Sequence, residues 1–192
     1  MDYLIVGLGN PGSEYERTRH NIAWSALESA PFSSDLAWRE KYKGLYASCS
    51  FRKGKGHFLK PQTYMNLSGE SVQPCADFFK IPVENILVVH DELDLPFGTM
   101  AFKKGGGLAG HNGLKSISQL LGSRDFLRLR LGIGRPNHGN VASYVLSSFS
   151  SDEKIVLDDF LSGGGEAIDC FMNEGFQKAA KTFSKKSYAE VN

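Results

Sequence analysis

Among 192 residues there are only three cysteines, Cys49, Cys75 and Cys170, widely separated and without any C-x-x-C pair. An odd, scattered set excludes a disulfide framework and argues against a zinc site, so all three are expected to be reduced and buried. Long apolar runs are missing too. No stretch approaches the roughly 20 residues that span a bilayer, so membrane insertion is not expected. The opening residues, Met1-Asp2-Tyr3-Leu4-Ile5-Val6-Gly7, lack a basic region ahead of a long apolar core. They read as a strand rather than a secretion signal, and the cytoplasm is the expected location. Charge of one sign is also scarce: a net charge of +1 excludes a wholesale polybasic protein. Finally, there is no G-x-S-x-G elbow, and no cysteine lies in a recognisable nucleophile motif.

What is present suits one soluble domain spanning 1–192. Hydrophobic residues make up 41% and charged residues 22% of the chain, ordinary values for a globular protein. At this length roughly 70% of the unfolded surface can be buried. Neither an internal repeat nor a linker breaks the chain. The positive charge, though balanced overall, is grouped. Lys41, Lys43, Arg52, Lys53, Lys55 and Lys60 form one basic stretch; Lys103 and Lys104 precede a glycine loop, and Arg124, Arg128, Arg130 and Arg135 follow it. Solvated faces account for most such groupings.

Periodicity supplies the elements. Residues 3–6 read as a strand, and 21–30 as a helix stopped by Pro31. Residues 45–51 and 57–60 read as two strands of a hairpin turning at Lys53-Gly54-Lys55-Gly56. Asn66 or Ser68 can cap a helix toward Lys80, in which Pro74 must kink the backbone or lie in the first turns. Ile86-Leu87-Val88-Val89, four apolar residues in a row, read as a fully buried strand. Residues 99–103 form another strand, and 112–121 a helix opening on the glycine loop. Leu127, Leu129, Leu131 and Ile133 alternate with Arg128, Arg130 and Gly132, so the two arginines share one face of a strand. A helical pattern over 151–173 is interrupted at Gly163-Gly164-Gly165, and the tail Lys185-Lys186-Ser187-Tyr188 reads as frayed. Interleaved strands and helices with a hairpin indicate an α/β sandwich on a mixed sheet.

The buried strand runs into His90-Asp91-Glu92-Leu93-Asp94, and a glycine-dense loop over 105–113, carrying His111 and Asn112, follows. In open α/β sheets ligands gather where strands end, which makes these carboxylates candidate catalysts. The plainer alternative is that Asp91 and Asp94 only cap a turn. Gly7-Leu8-Gly9-Asn10-Pro11-Gly12 matches G-x-G-x-x-G after a strand, yet Pro11 sits in the loop, and Glu28, near the required spacing, falls in a helical stretch. Dinucleotide binding therefore lacks its context. The glycines instead allow a tight turn around Asn10. Just downstream lies His20. A carboxylate from the buried strand could accept its ring N–H and fix its tautomer, leaving a base that most simply activates water. Asn10, Asn66 and Asn112, all in loops, could stabilise charge developing on a carbonyl oxygen.

Five blocks carry a family resemblance: Gly7-Leu8-Gly9-Asn10-Pro11-Gly12, Thr18-Arg19-His20-Asn21, Tyr64-Met65-Asn66-Leu67-Ser68-Gly69, His90-Asp91-Glu92-Leu93-Asp94 and Gly110-His111-Asn112-Gly113. In order and spacing along nearly the whole chain, the sequence resembles the bacterial peptidyl-tRNA hydrolase family. The resemblance implies hydrolysis of the ester joining a peptide, or an N-blocked amino acid, to the 3′ end of tRNA, recycling peptidyl-tRNA released prematurely from ribosomes. No cofactor or metal is implied. His20 would be the general base and Asp91 its orienting partner, while Asn10, Asn66 and Asn112 would position water, the substrate carbonyl and the peptide backbone. Tyr15, Tyr64 and Met65 would line the groove, His111 would contact the acceptor end, and Lys103 and Arg130 would clamp the tRNA 5′ phosphate. The implied fold is a single-domain three-layer sandwich, a twisted mixed sheet flanked by helices, monomeric, with a helical lid around 141–175. Two positions depart from the family pattern: Ala23 and Ala109 stand where glycine is expected, which affects loop geometry rather than chemistry.

Two rivals remain from the residues alone. His90, Asp91, Asp94 and His111 could ligate a metal, although at no recognised spacing. A module that binds tRNA without turnover is the other, since fold does not dictate function.

Overall fold

A computed structural model of the chain describes residues 1–189. The strands are β1 (Tyr3–Gly7), β2 (Arg39–Lys41), β3 (Gly44–Phe51), β4 (Gly54–Pro61), β5 (Ile86–Glu92), β6 (Met100–Lys104) and β7 (Leu127–Gly132). The helices are α1 (Ile22–Glu28), α2 (Gly69–Phe79), α3 (Asn112–Leu121), α4 (Val141–Val145), α5 (Ser151–Glu174) and α6 (Phe176–Phe183). All seven strands form one sheet in the order β2-β3-β4-β1-β5-β7-β6. β1 pairs in parallel with β4 and β5, and β5 in parallel with β7, whereas β2–β3, β3–β4 and β6–β7 are antiparallel. The sheet is therefore mixed, as the hairpin in the sequence required.

Alternation along the central strands sends side chains to two cores. Ile5 of β1, Leu87 and Val89 of β5 and Leu129 and Leu131 of β7 pack with α1 and α5. Leu4, Val6, Ile86 and Val88 pack on the other face with Val72 of α2 and Leu114 and Ile117 of α3. Three layers result, with β5 buried along its whole length. The parallel strands β1, β5 and β7 all end at one edge of the sheet, where Asp91 sits next to last in β5 and Asn10 and Ile133 lie just beyond β1 and β7.

Several local expectations are corrected. The hairpin turns at Arg52 and Lys53, since Phe51 pairs with Gly54. Gly54 opens β4 and lacks a Cβ because Met1 crosses directly over it. Neither Asn66 nor Ser68 caps α2; the Ser68 hydroxyl donates backward to the Met65 carbonyl at 2.8 Å. Pro74 lies inside α2. Of the cysteines, only Cys75 is fully buried, while Cys49 and Cys170 sit half-buried at the rim of the α1–α5 core. The tail is pinned rather than frayed: Lys185 N–H donates to the Met100 carbonyl and Tyr188 N–H to the Gly98 carbonyl at 2.8 Å.

The largest departure is α5, which runs unbroken through Gly163-Gly164-Gly165. The glycines are there for close approach. The Tyr188 ring lies against Gly163, and a Cβ on Gly165 would stand 2.8 Å from the backbone nitrogen of Ala30 at the end of the α1 turn. Gly165→Ala gains about 1 kcal/mol of helix propensity. Overpacking against a backbone costs about 1–3 kcal/mol, and this term wins. We expect Gly165→Ala to lower the urea midpoint without changing the slope of the transition; an unchanged or raised midpoint would show that Ala30 moves aside freely.

Candidate active site

Position along β5 decides what reaches the sheet edge. Asp91 continues the Leu87–Val89 face toward α1, whereas His90 and Glu92 continue the Ile86–Val88 face toward α3. His20 lies in a 3₁₀ turn, Arg19–Asn21, that leads into α1. Its Nδ1 is 2.8 Å from Asp91 Oδ2, with the aspartate side chain 2% exposed and the imidazole 14%. The other carboxylate oxygen, Oδ1, is 2.8 Å from Nε2 of His111. Burial by itself would push the Asp91 carboxyl up. The facing His20, and the hydrogen bonds from His111 and His20, instead hold it well below the usual carboxylate range. The group is thus an ionised acceptor clamped between two rings.

His90, fully buried behind them, is pushed down to about 3 by its burial and by the neighbouring His111 ring. It stays neutral, with Nδ1 2.7 Å from the Asp91 carbonyl. The proposed quartet of His90, Asp91, Asp94 and His111 is not assembled. Asp94 turns to Arg135, whose Nε and Nη2 lie 2.9 and 2.7 Å from one of its oxygens. Among the described residues, the group with metal-ligand proximity is His20, Asp91 and His111, whose nearest nitrogen and oxygen atoms all lie within 4.8 Å of one another.

Asn10 is held from two sides. Its N–H donates to Asn21 Oδ1 and its carbonyl accepts from Asn21 Nδ2, both at 2.9 Å. Its own Oδ1 accepts the Met65 N–H at 2.8 Å, which leaves the Asn10 amide nitrogen for the cavity. Asn21, 1% exposed, was absent from the candidate set; its place beside His20 in the sequence was the available signal. Arg19 was missed as well. Its buried guanidinium bonds Ser147 and the Ser148 carbonyl, pairs with Glu153 at 2.7 Å and stacks 4.3 Å over the Tyr144 ring. The turn that carries His20 is thereby fastened to the chain around α4. The glycine pattern after β1 has a packing cause: a Cβ on Gly9 would strike the Trp24 ring, whose Nε1 donates to the Gly7 carbonyl at 2.7 Å. No helix opens on these glycines, because α1 starts only at Ile22.

These groups face a cavity of about 540 Å³. It is lined by Asn10, His20, Asp91 and His111, by Tyr64, Met65, Asn66 and Asn112, and by Val141, Ala142, Val145 and Leu146 in and just after α4. Asn66 and Asn112 are exposed, and among the described residues neither side-chain amide makes a hydrogen bond. Ala109 also lines the cavity and holds a left-handed backbone, φ 49°, which explains why glycine would suit that position. Ala23 is fully buried in the α1 core.

Tyr15, Lys103 and Arg130 lie outside the cavity wall. Tyr15 belongs to the turn before the 3₁₀ segment, its carbonyl accepting from the Thr18 hydroxyl at 2.8 Å. Register places Lys103, Arg128 and Arg130 on one face of the β6–β7 ribbon. That face is not uniformly solvated. Arg128 is 1% exposed, its Nη2 donating to the carbonyls of Gly105 and Gly107 at 2.8 and 3.0 Å. Arg130 is half-buried and 3.5 Å from Glu92.

Comparison with known proteins identifies the family. A family model described as Peptidyl-tRNA hydrolase matches residues 4–190. A peptidyl-tRNA hydrolase of Bdellovibrio bacteriovorus is 47% identical over 95% of this chain and 99% of its own, and one of Pelobacter propionicus is 44% identical over 98% of each. The crystal structure of peptidyl-tRNA hydrolase from Acinetobacter baumannii superposes with a TM-score of 0.88 at 34% identity, covering 97% of this chain and 96% of that one. Match in sequence over almost the full length, together with a shared fold, makes this chain a member of the peptidyl-tRNA hydrolase family.

Proposed function

We propose that the chain hydrolyses the ester between a peptide and the 3′ end of tRNA with a water activated by His20. The observation that carries this mechanism is the 2.8 Å contact between His20 Nδ1 and the buried Asp91 carboxylate at the wall of the cavity. An ionised acceptor at Nδ1 keeps the proton there, so Nε2 is the free base. It takes a proton from water as the oxygen adds to the ester carbonyl. The resulting imidazolium is stabilised by Asp91 and returns the proton to the departing ribose oxygen, releasing free peptide and tRNA. The Asn10 amide, fixed by Asn21 and Met65, supplies an N–H for the negative charge on the tetrahedral intermediate.

Asn66 and Asn112, exposed on the cavity lining and without a side-chain hydrogen bond among the described residues, suit the peptide backbone, and Tyr64 and Met65 suit a side chain. Lys103 and Arg130, off the wall on the β6–β7 ribbon, suit a phosphate of the acceptor stem, read by charge and shape rather than by base sequence. Tyr15 has no place on the wall, so a substrate contact is not assigned to it. Within the span 141–175, α5 buries Phe160, Ile168 and Phe171 in the core, so the lid role falls to the α4 region that roofs the cavity. On this reading the chain works on tRNA as a monomer in the cytoplasm. No helix among the described residues is long and apolar enough to cross a membrane.

Release of N-acetyl-amino acid from N-acetyl-aminoacyl-tRNA is the direct assay. We expect His20→Ala to lose about 10²–10⁴-fold in turnover with little change in RNA affinity, the usual scale for a general base. Wild-type turnover in that variant would reject the role, and absence of any release by the wild type would favour a binding module. Lys103→Ala and Arg130→Ala are expected to weaken tRNA binding and to flatten its dependence on the logarithm of salt concentration by about 0.7–0.9 per lost phosphate contact. Salt slopes equal to wild type in both would remove the clamp.

A further inference from the structure

We infer that His111 is a positioning residue for the reaction, holding Asp91 in place from the side opposite His20, rather than a contact for the tRNA acceptor end. The inference rests on the hydrolytic reading above and adds a residue to its machinery. Its geometry begins at the start of α3, where His111 is the N-cap residue and its Nδ1 accepts the N–H groups of Gly113 and Leu114 at 3.2 and 3.4 Å. An acceptor of two N–H groups carries no proton. The ring proton therefore sits on Nε2 and points at Asp91 Oδ1, 2.8 Å away.

Three links follow in series. The free N–H groups of a helix start fix the tautomer of His111, His111 fixes the rotation of the Asp91 carboxylate, and Asp91 fixes His20. His111 lines the cavity with its side chain 10% exposed, but both of its ring nitrogens are already committed to protein partners. The same chain of bonds opposes the metal reading of this trio. To ligate through Nε2, a neutral His111 would move its proton to Nδ1, and that proton would face the two N–H groups it now accepts.

Removing the His111 donor leaves the Asp91 carboxylate free to rotate away from His20, so the orientation of the base is lost while the rest of the cavity wall is unchanged. The other charged or titratable groups around the pair are His90 and Glu92 on β5, Arg130 against Glu92, and Arg19 bonded to Glu153 behind the 3₁₀ turn. The α4 region adds only Val141, Ala142, Val145 and Leu146 to the cavity lining.

Two substitutions separate the two ends of the ring. His111→Asn keeps an oxygen near the Nδ1 position, able to cap α3, and loses the donor to Asp91. His111→Gln places an amide N–H near the Nε2 position and loses the cap. We expect His111→Asn to unfold close to wild type, to lose about 10–100-fold in kcat with KM nearly unchanged, the scale of a misoriented catalytic group. His111→Gln should recover part of kcat despite lower stability. A His111→Asn enzyme with wild-type kcat but raised KM would overturn the inference and return His111 to substrate contact; so would a His111→Gln enzyme no faster than His111→Asn. Both outcomes are distinct from full activity in His20→Ala, which would sink the hydrolytic reading itself.

Discussion

A single carboxylate, taken out of water at the end of a strand buried on both faces, is the constraint on which the site depends. An unpaired charge in the position of Asp91 would cost several kcal/mol, and the residue survives there because each of its oxygens meets an imidazole N–H at 2.8 Å. The arrangement demands that three elements meet at one point: β5 from the middle of the sheet, the turn before α1 from one layer, and the start of α3 from the other. A mixed sheet whose parallel strands end at a common edge provides that meeting place.

Around this centre the supporting contacts act on backbone more than on side chains. Asn21 pairs with the backbone of Asn10 on both sides, and Asn10 in turn grips the backbone of Met65, so two loops that line the cavity are fastened together. Arg19 does the same between the His20 turn and the segment from Tyr144 to Glu153. These bonds are buried, where losing one partner leaves the other unsatisfied at a cost of about 1–3 kcal/mol. Arg19 and Asn21, the sequence neighbours of His20, are thus the residues that fasten its turn and the Asn10 loop.

Much of this was legible in the sequence, and what was not has identifiable causes. β5 and β7 could be read because their apolar patterns are unbroken or strictly alternating, and the mixed sheet because a short hairpin sits among interleaved helices. His20, Asp91 and the three asparagines could be read because they fall at element ends, where chemistry concentrates. The continuity of α5 could not. Three successive glycines signal a break by local propensity, and only the tertiary approach of Ala30 and Tyr188 explains why they lie within a helix. The tail misled for the same reason, since its polar residues bond through backbone to Met100 and Gly98. Asn21 was missed because a partner 11 positions away leaves no periodic trace.

Arg128 shows how a buried positive charge can shape a surface loop from beneath. Its guanidinium sits beneath the glycine loop and ties down the Gly105 and Gly107 carbonyls, while Gly105 and Gly106 adopt consecutive left-handed conformations, φ 59° and 84°, that few other residues tolerate. The stretch between Lys103 and the cavity wall is therefore already shaped when the chain folds. Its conformational entropy is surrendered once, in reaching the native state, and a ligand meeting this stretch would spend none of its affinity on ordering it afterwards.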